Sequence, residues 1–375
     1  MLKEKSALEL QSKTIDFLRF PLALMVVFIH NPFVKEFDMQ SINYADFGTS
    51  DFYVIIFTTL KSVLSNIAVP SFFMFSGFLF FFNVKDFSDK IYINKIKKRV
   101  STLFVPYILW CLVPIGISFV FALLTNSINE FWNYLLDKGI LNIFLSYHFW
   151  HSNVFNYTNS GPALLPLWFL RDLILVIILS PLVFLLIKHT KFLGVLLLGL
   201  LYFFKVPSIF ELYNVNQLIT ALFFFSLGAY FSIYGKNLVL SFRKLQSVSY
   251  VIAIVSFLLT LFSYNTPVTR FLMPVFVISG IIAVVNLTSG LIENKKIKSI
   301  DLLAQSSFFV YLCHSIFIFD LSKYFFDKIL PFNNYYILTA KFLLTPLLCT
   351  AICVSVYYML KRFFPKFTAI ITGGR

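Results

Sequence analysis

The chain has 375 residues, of which 59% are hydrophobic and 13% charged, with a mean hydropathy of +0.83. Soluble domains carry about 25% charge, so this composition excludes a soluble or disordered chain and specifies an all-α, polytopic transmembrane helical bundle. The formal net charge of +14 invites a nucleic-acid reading, but the distribution of that charge, described below, is topological and no nucleic-acid partner is expected.

Taken in order, the chain opens on MLKEKSALELQSK, a charged segment without a small-residue cleavage site, so the first helix is expected to be retained. Apolar runs predict about ten spanning helices, at roughly 14–32, 66–83, 102–125, 164–187, 191–205, 216–234, 247–264, 268–288, 300–319 and 335–360. The fifth is short for a ~30 Å hydrocarbon core. Asp51 to Ser65 is apolar but separated from the second helix by Asn66 and Pro70, which predicts an interfacial segment or a half-helix. Cys111, Cys313, Cys349 and Cys353 all lie in apolar runs without metal-ligand spacing, so they are read as packing residues and no metal is expected. There is no repeat and no low-complexity tract. A single bundle uses the whole length, giving one integral-membrane domain over residues 1–375.

Orientation follows from lysine and arginine. With the N-terminus inside, cytoplasmic segments hold about 21 of the 31 basic residues and outer segments about five. Both termini are therefore expected in the cytoplasm. Five basic residues fall within or at the edges of apolar runs: Arg19, Lys61, Arg171, Arg270 and Lys341.

The first apolar run, TIDFLRFPLALMVVFIHNP, carries Arg19 in its first half and His30 at its far end. Eleven residues of helix amount to about three turns and ~16 Å of rise, so the two share a face on opposite sides of the midplane. A cation inside a bilayer is costly and is read as functional. Asp16, three residues before Arg19, can pair with it on that face. Four later stretches accompany this pattern: VPSFFMFSGFLFF (69–81, with Pro70, Ser76 and Gly77), KKRVSTLFVPYILW (97–110), PLWFLRDLILVIILSP (166–181) and SSFFVYLCHSIFI (306–318).

Arg-x10-His on a first membrane helix, followed in order by these four stretches, resembles the acyltransferase 3 family of membrane-bound O-acyltransferases. The resemblance implies acyl transfer from cytoplasmic acyl-CoA, with acetyl-CoA as donor substrate and no bound cofactor. On it, His30 is the base that takes the acceptor hydroxyl proton and Arg19 holds CoA phosphate or a polar part of the donor. Lys98, Arg99 and Arg171 become further acyl-CoA contacts, and Ser76 a supporting residue. The chain departs from the family pattern in two places. Ser101 and Thr102 stand where further basic residues are common, and Pro166 stands where many relatives have a histidine. The chain ends at Arg375 without the soluble SGNH-type domain fused to some members, so a one-protein, two-step transfer is not expected.

Other polar residues are open to two readings each. The run KIYINKIKKR is an ordinary stop-transfer loop or a phosphate landing site. Arg171 and Asp172 point ~100° apart on a helix and are expected to seek separate partners, with Trp168 on the face of Arg171. Tyr311 and His314, one turn apart, predict either a tyrosine–histidine hydrogen bond that packs helices or a polar wall of a donor tunnel. Arg270 and Lys341 are expected to snorkel from outer helix ends. The outer loop from Asn126 to Pro162 holds Trp132, Tyr147 and Trp150, which are membrane anchors or stacking faces for a sugar.

The residues thus point to an O-acyltransferase of the cell inner (cytoplasmic) membrane, with O-acetyl transfer expected. Its acceptor would be a cell-envelope or exported glycan or a lipid-linked sugar, with membrane lipid as the surrounding partner. The competing classes are a polysaccharide or lipid-linked-sugar transporter or flippase, which would use the same Arg and His as substrate or proton-relay sites, and a non-catalytic export partner. The sequence leaves acceptor, acyl length and oligomeric state open.

Overall fold

A bilayer offers the backbone no water, so apolar runs must satisfy their own N–H and C=O groups as helices. The computed structural model describes residues 2–31, 49–84, 86–138, 144, 164–205, 213–264, 266–331 and 334–374. All regular structure among them is helical. In chain order these are α1 (Leu2–Ile29), α2 (Thr49–Phe57), α3 (Ala68–Phe81), α4 (Asp89–Arg99), α5 (Val105–Leu124) and α6 (Ile128–Lys138). There follow α7 (Trp168–Ile178), α8 (Ser180–Thr190), α9 (Phe192–Phe204), α10 (Tyr213–Ile233), α11 (Leu238–Arg243) and α12 (Gln246–Phe262). The chain closes with α13 (Thr269–Glu293), α14 (Asp301–Cys313), α15 (Phe319–Ile329), α16 (Tyr335–Phe363) and α17 (Pro365–Thr372).

Fewer of these are spans than the ten expected. Among the described residues six helices are long and apolar enough to cross a membrane: Asp51–Phe81, Asp89–Leu124, Val215–Ile233, Thr269–Glu293, Asp301–Ile329 and Tyr335–Phe363. A seventh is added if α7 and α8, bent by 61° at their junction, count as one broken span. The expected helix at 164–187 is this bent pair. Pro181 supplies no amide hydrogen and sits in the first turn of α8, which is where proline starts a new helix rather than extending an old one. α9 and α12 are apolar but short, and α1 carries Lys13, Asp16 and Arg19 into its apolar portion.

Asp51 to Ser65 is likewise not a separate half-helix. The chain runs on helically through a wider π-helical turn at Thr58–Val63 and a tighter 3₁₀ turn at Leu64–Ile67 into α3. Asn66 bonds back to the Ser62 carbonyl, and Pro70 lies in the first turn of α3, so neither residue interrupts the path.

The charged first helix is tolerated because other helices wrap it. α1 packs against α3, α13, α14 and α16, burying Ile15, Leu18, Leu22, Ala23, Val26 and Val27. Around this centre α3 and α10 cross closely. A Cβ on Gly77 would lie 2.0 Å from the Phe225 carbonyl oxygen, and one on Gly228 would lie 1.9 Å from that of Met74. Both contacts are to backbone, so neither can be relieved by a side-chain rotation. Gly77→Leu should therefore lower the thermal stability of the purified protein by an amount typical of overpacking, roughly 1–3 kcal/mol or more. An unchanged melting midpoint would show that the two helices separate without cost. At the other end of the chain, α17 docks on α5, where the Trp110 indole donates to the Ile371 carbonyl at 2.9 Å.

Candidate active site

The middle and the C-terminal end of α1 lead into different surroundings. Past the middle of α1 Arg19 pairs with Asp16 at 2.8 Å, as the i,i+3 spacing allows, with both side chains about two-fifths exposed. Arg19 lies where two cavities meet. The larger, open cavity has a volume of about 880 Å³ and is rimmed by Lys13, Asp16, Arg19, Asp301 and the loop between α13 and α14. The inner one, about 280 Å³, is walled by Phe72, Phe75, Leu103, Phe169 and Phe308, with Arg19, Ser76, Arg99, Ser307 and Tyr311 as its polar members. Arg19 and Ser307 line both.

Of the residues singled out in the sequence, Arg19, Ser76, Arg99 and Tyr311 line one space. Arg99 is half-buried and its guanidinium lies 5.9 Å from the centroid of the Phe80 ring, while Lys95 donates to the Phe80 carbonyl. These contacts hold the basic helix α4 against the end of α3. Lys98 points away, exposed, and lines neither cavity. The Tyr311 hydroxyl donates to the Pro166 carbonyl rather than to His314.

At the far end of α1, His30 meets His314, with ring centroids 5.3 Å apart. Arg19 and His30 thus face the same stretch of chain, from α14 into the π-helical turn His314–Ile318, as a shared helical face demands. His314 is fully buried, and its Nδ1 lies 3.0 Å from the Val310 carbonyl. With Nδ1 donating there, Nε2 carries the ring's lone pair, and it has no hydrogen-bond partner among the described residues. The tip of α1 is pinned next to this pair. Asn31 donates through Nδ2 to the Phe342 carbonyl of α16 at 2.8 Å, and its own carbonyl accepts from Lys61 Nζ at 2.8 Å.

Lys61 is the member that the sequence reading did not assign. Its signal was present, since a lysine inside an apolar run is costly in a membrane, but its neighbour His30 is far away in the chain. Lys61 belongs to the π-helical turn Thr58–Val63, Arg99 immediately precedes the one at Val100–Phe104, and His314 opens the third. Such turns cluster at functional sites because an extra residue re-aims the side chains around it. All three π-helical turns among the described residues lie at a cation or histidine of the candidate site.

Arg171 and Asp172, expected to point apart, contact each other. Arg171 Nε contacts Asp172 Oδ1 at 2.9 Å, with both residues buried. In a dry interior an uncompensated charge is so costly that the long guanidinium arm folds back onto the adjacent carboxylate despite the helical offset. The pair lines neither cavity, although its neighbours Phe169, Leu170 and Leu173 line the inner one. Trp168 is half-buried against the core. Lys341 does not snorkel either: it is 2% exposed and binds Asp327 at 2.9 Å. Arg270 is exposed and donates to the Phe204 carbonyl. Trp132 is exposed on α6, its ring 6.3 Å from that of Phe119. Tyr147 and Trp150 lie outside the described residues. Among those residues no group of histidine, cysteine and acidic side chains could hold a metal.

Fold and composition together define an all-helical, multi-pass membrane protein whose first helix carries Arg19 between two cavities. The chain belongs to the acyltransferase 3 family, whose model, an acyltransferase domain, matches residues 12–360. It is similar to the succinoglycan biosynthesis protein ExoH of Rhizobium meliloti (strain 1021), with 31% identity over 196 residues, or 52% of this chain and 48% of that protein. The match thus spans about half of the relative's length. No solved structure matches.

Proposed function

We propose that the protein is a membrane-bound O-acyltransferase that moves an acyl group from cytoplasmic acyl-CoA to a hydroxyl of a cell-envelope or exported glycan. The observation that carries this reading is the layout of α1: Arg19 at the junction of two cavities, and the His30–His314 pair about three turns on, at the C-terminal end of the helix. A thioester donor is a polyanion on a slender arm, and ~16 Å of helix is about the reach of that arm. The acceptor hydroxyl gives its proton to a histidine while its oxygen attacks the thioester carbonyl. The C–O bond forms, the C–S bond breaks, and the CoA thiolate leaves and takes up a proton. Acetyl is the acyl group proposed. A role in glycan modification is supported by the similarity to a protein of succinoglycan biosynthesis. The positive-inside distribution supports a reading with both termini in the cytoplasm, in the cytoplasmic membrane.

Incubating the purified protein with labelled acetyl-CoA and envelope glycan fractions tests the proposal, because label must move to glycan. The bent pair α7–α8 gives the transporter reading its one structural support, since transporters build sites at broken spans. Glycan translocation without movement of label would establish that reading instead.

The basic helix is expected to act unequally. Arg99 lines the inner cavity and Lys98 does not, so Arg99→Ala should raise the KM for acyl-CoA several-fold while Lys98→Ala leaves it near the wild-type value. Equal effects from both would return this helix to a purely topological role.

A further inference from the structure

We propose that the loop between α13 and α14, through Lys295, Lys296 and Lys298 together with Lys13, docks the phosphates of a nucleotide-bearing donor. The inference rests on the acyl-CoA reading and locates the part of the site that grips the donor's nucleotide end. In sequence these lysines look like ordinary positive-inside residues. In the structure they do not simply face lipid: all four line the 880 Å³ cavity whose wall continues to Arg19.

Charge and shape agree. The cavity brings together five cations and two carboxylates, and one of those carboxylates, Asp16, is already engaged by Arg19. The excess of positive charge in a concave space focuses potential and favours a polyanion over a single charge. The volume falls within the range that holds a nucleotide-sized ligand. The adjoining inner cavity is smaller and mostly apolar, suited to an arm and an acyl group rather than to phosphates. Large cationic vestibule, guanidinium, narrow apolar chamber: the sequence of environments matches a molecule with phosphates at one end and an acyl thioester at the other.

The backbone adds a local sign. α13 ends at Asn294 as its C-cap, and Lys295 adopts a left-handed conformation (φ +55°) with its amide bonded to the Ile292 carbonyl and that of Lys296 to Leu291. Glycine takes this position most readily. A lysine there is strained, and strain of this kind gathers at ligand clamps and switch regions.

The same phosphate chemistry could come from an anionic lipid headgroup, and the test separates the two sources. The full-length protein and the triple variant Lys295→Gln/Lys296→Gln/Lys298→Gln are placed in nanodiscs of zwitterionic lipid, and coenzyme A binding is measured at low and high salt. The expected result is a Kd for coenzyme A raised at least tenfold in the variant, with a weaker salt dependence. Turnover of acetyl-pantetheine, which lacks the nucleotide, should be unchanged, and this also shows that the variant is folded. A Kd within twofold of wild type overturns the proposal. So does an equal loss with acetyl-pantetheine, which would make the loop structural. An effect seen only in nanodiscs containing phosphatidylglycerol assigns the lysines to lipid and overturns it as well. Binding that depends on the lysines without any transfer of label would keep the site and remove the acyltransferase reading; transfer indifferent to the triple substitution would do the reverse.

Discussion

Arg19→Ala abolishes acyl transfer while the protein still inserts and folds: this is the expected result with the largest effect. The ion pair of Arg19 with Asp16 is two-fifths exposed, and pairs of that kind contribute little to stability. Its removal leaves the packed face of α1 intact, because Leu18, Leu22, Ala23 and Val26 make that face and are untouched. What is lost is the one cation that, among the described residues, borders both cavities. The guanidinium can hold two oxygens at once in a fixed fork, which an ammonium cannot, so Arg19→Lys should recover only a small part of the activity. Turnover of labelled acetyl-CoA, measured beside membrane abundance and melting temperature, checks the expectation. Normal turnover and donor KM in Arg19→Ala would reduce Arg19 to a packing residue.

The all-helical architecture and the alignment of Arg19 with His30 are legible in sequence because both rest on short-range rules, apolar run length and helical period. The pattern fails where tertiary contacts decide. The helix expected at 164–187 bends by 61° where α8 begins; the Ser180-Pro181 signal was there, but it does not say whether proline bends a helix or starts one. Lys61 looked like any lysine at the edge of an apolar run until its ammonium met the Asn31 carbonyl. The meeting of His30 with His314 joins opposite ends of the chain, and no local pattern encodes it. Arg171 shows the converse. Helical geometry alone sends it away from Asp172, and only the absence of water in the core reverses that outcome.

Lys61 fits the same logic as a positioning residue. It holds the carbonyl of Asn31, and Asn31 is bonded to α16, so the turn that carries His30 is fixed from two sides. Lys61→Met should lower kcat for transfer roughly tenfold with little change in the donor KM, since the donor's charged end is held near Arg19. A rise in KM without loss of kcat would instead make Lys61 a substrate contact.

His30→Ala is expected to lose transfer by roughly 10²–10⁴-fold, the range for a general base. Donor binding should change little, because the cavities are lined by Lys13, Asp16 and Arg19 of α1 and not by His30. In the wild type the rate should fall as pH drops through the titration of the base, since an imidazolium cannot accept the hydroxyl proton. The groups facing His30 across the packed elements are His314 and Lys61, so two bases compete for the assignment. Among the described residues His314 Nε2 has no hydrogen-bond partner, but His314 is fully buried, whereas His30 is half-buried just past the end of α1, on the side from which the proposed acceptor would come. The pH–rate profile therefore decides between them. If His30 is the base, the acid limb vanishes from the residual activity of His30→Ala and persists, at reduced rate, in His314→Gln. If the limb survives in His30→Ala and disappears in His314→Gln, the roles are exchanged and His30 orients the base. A collapse of donor affinity in His30→Ala would remove it from proton transfer altogether and make it a wall of the donor site.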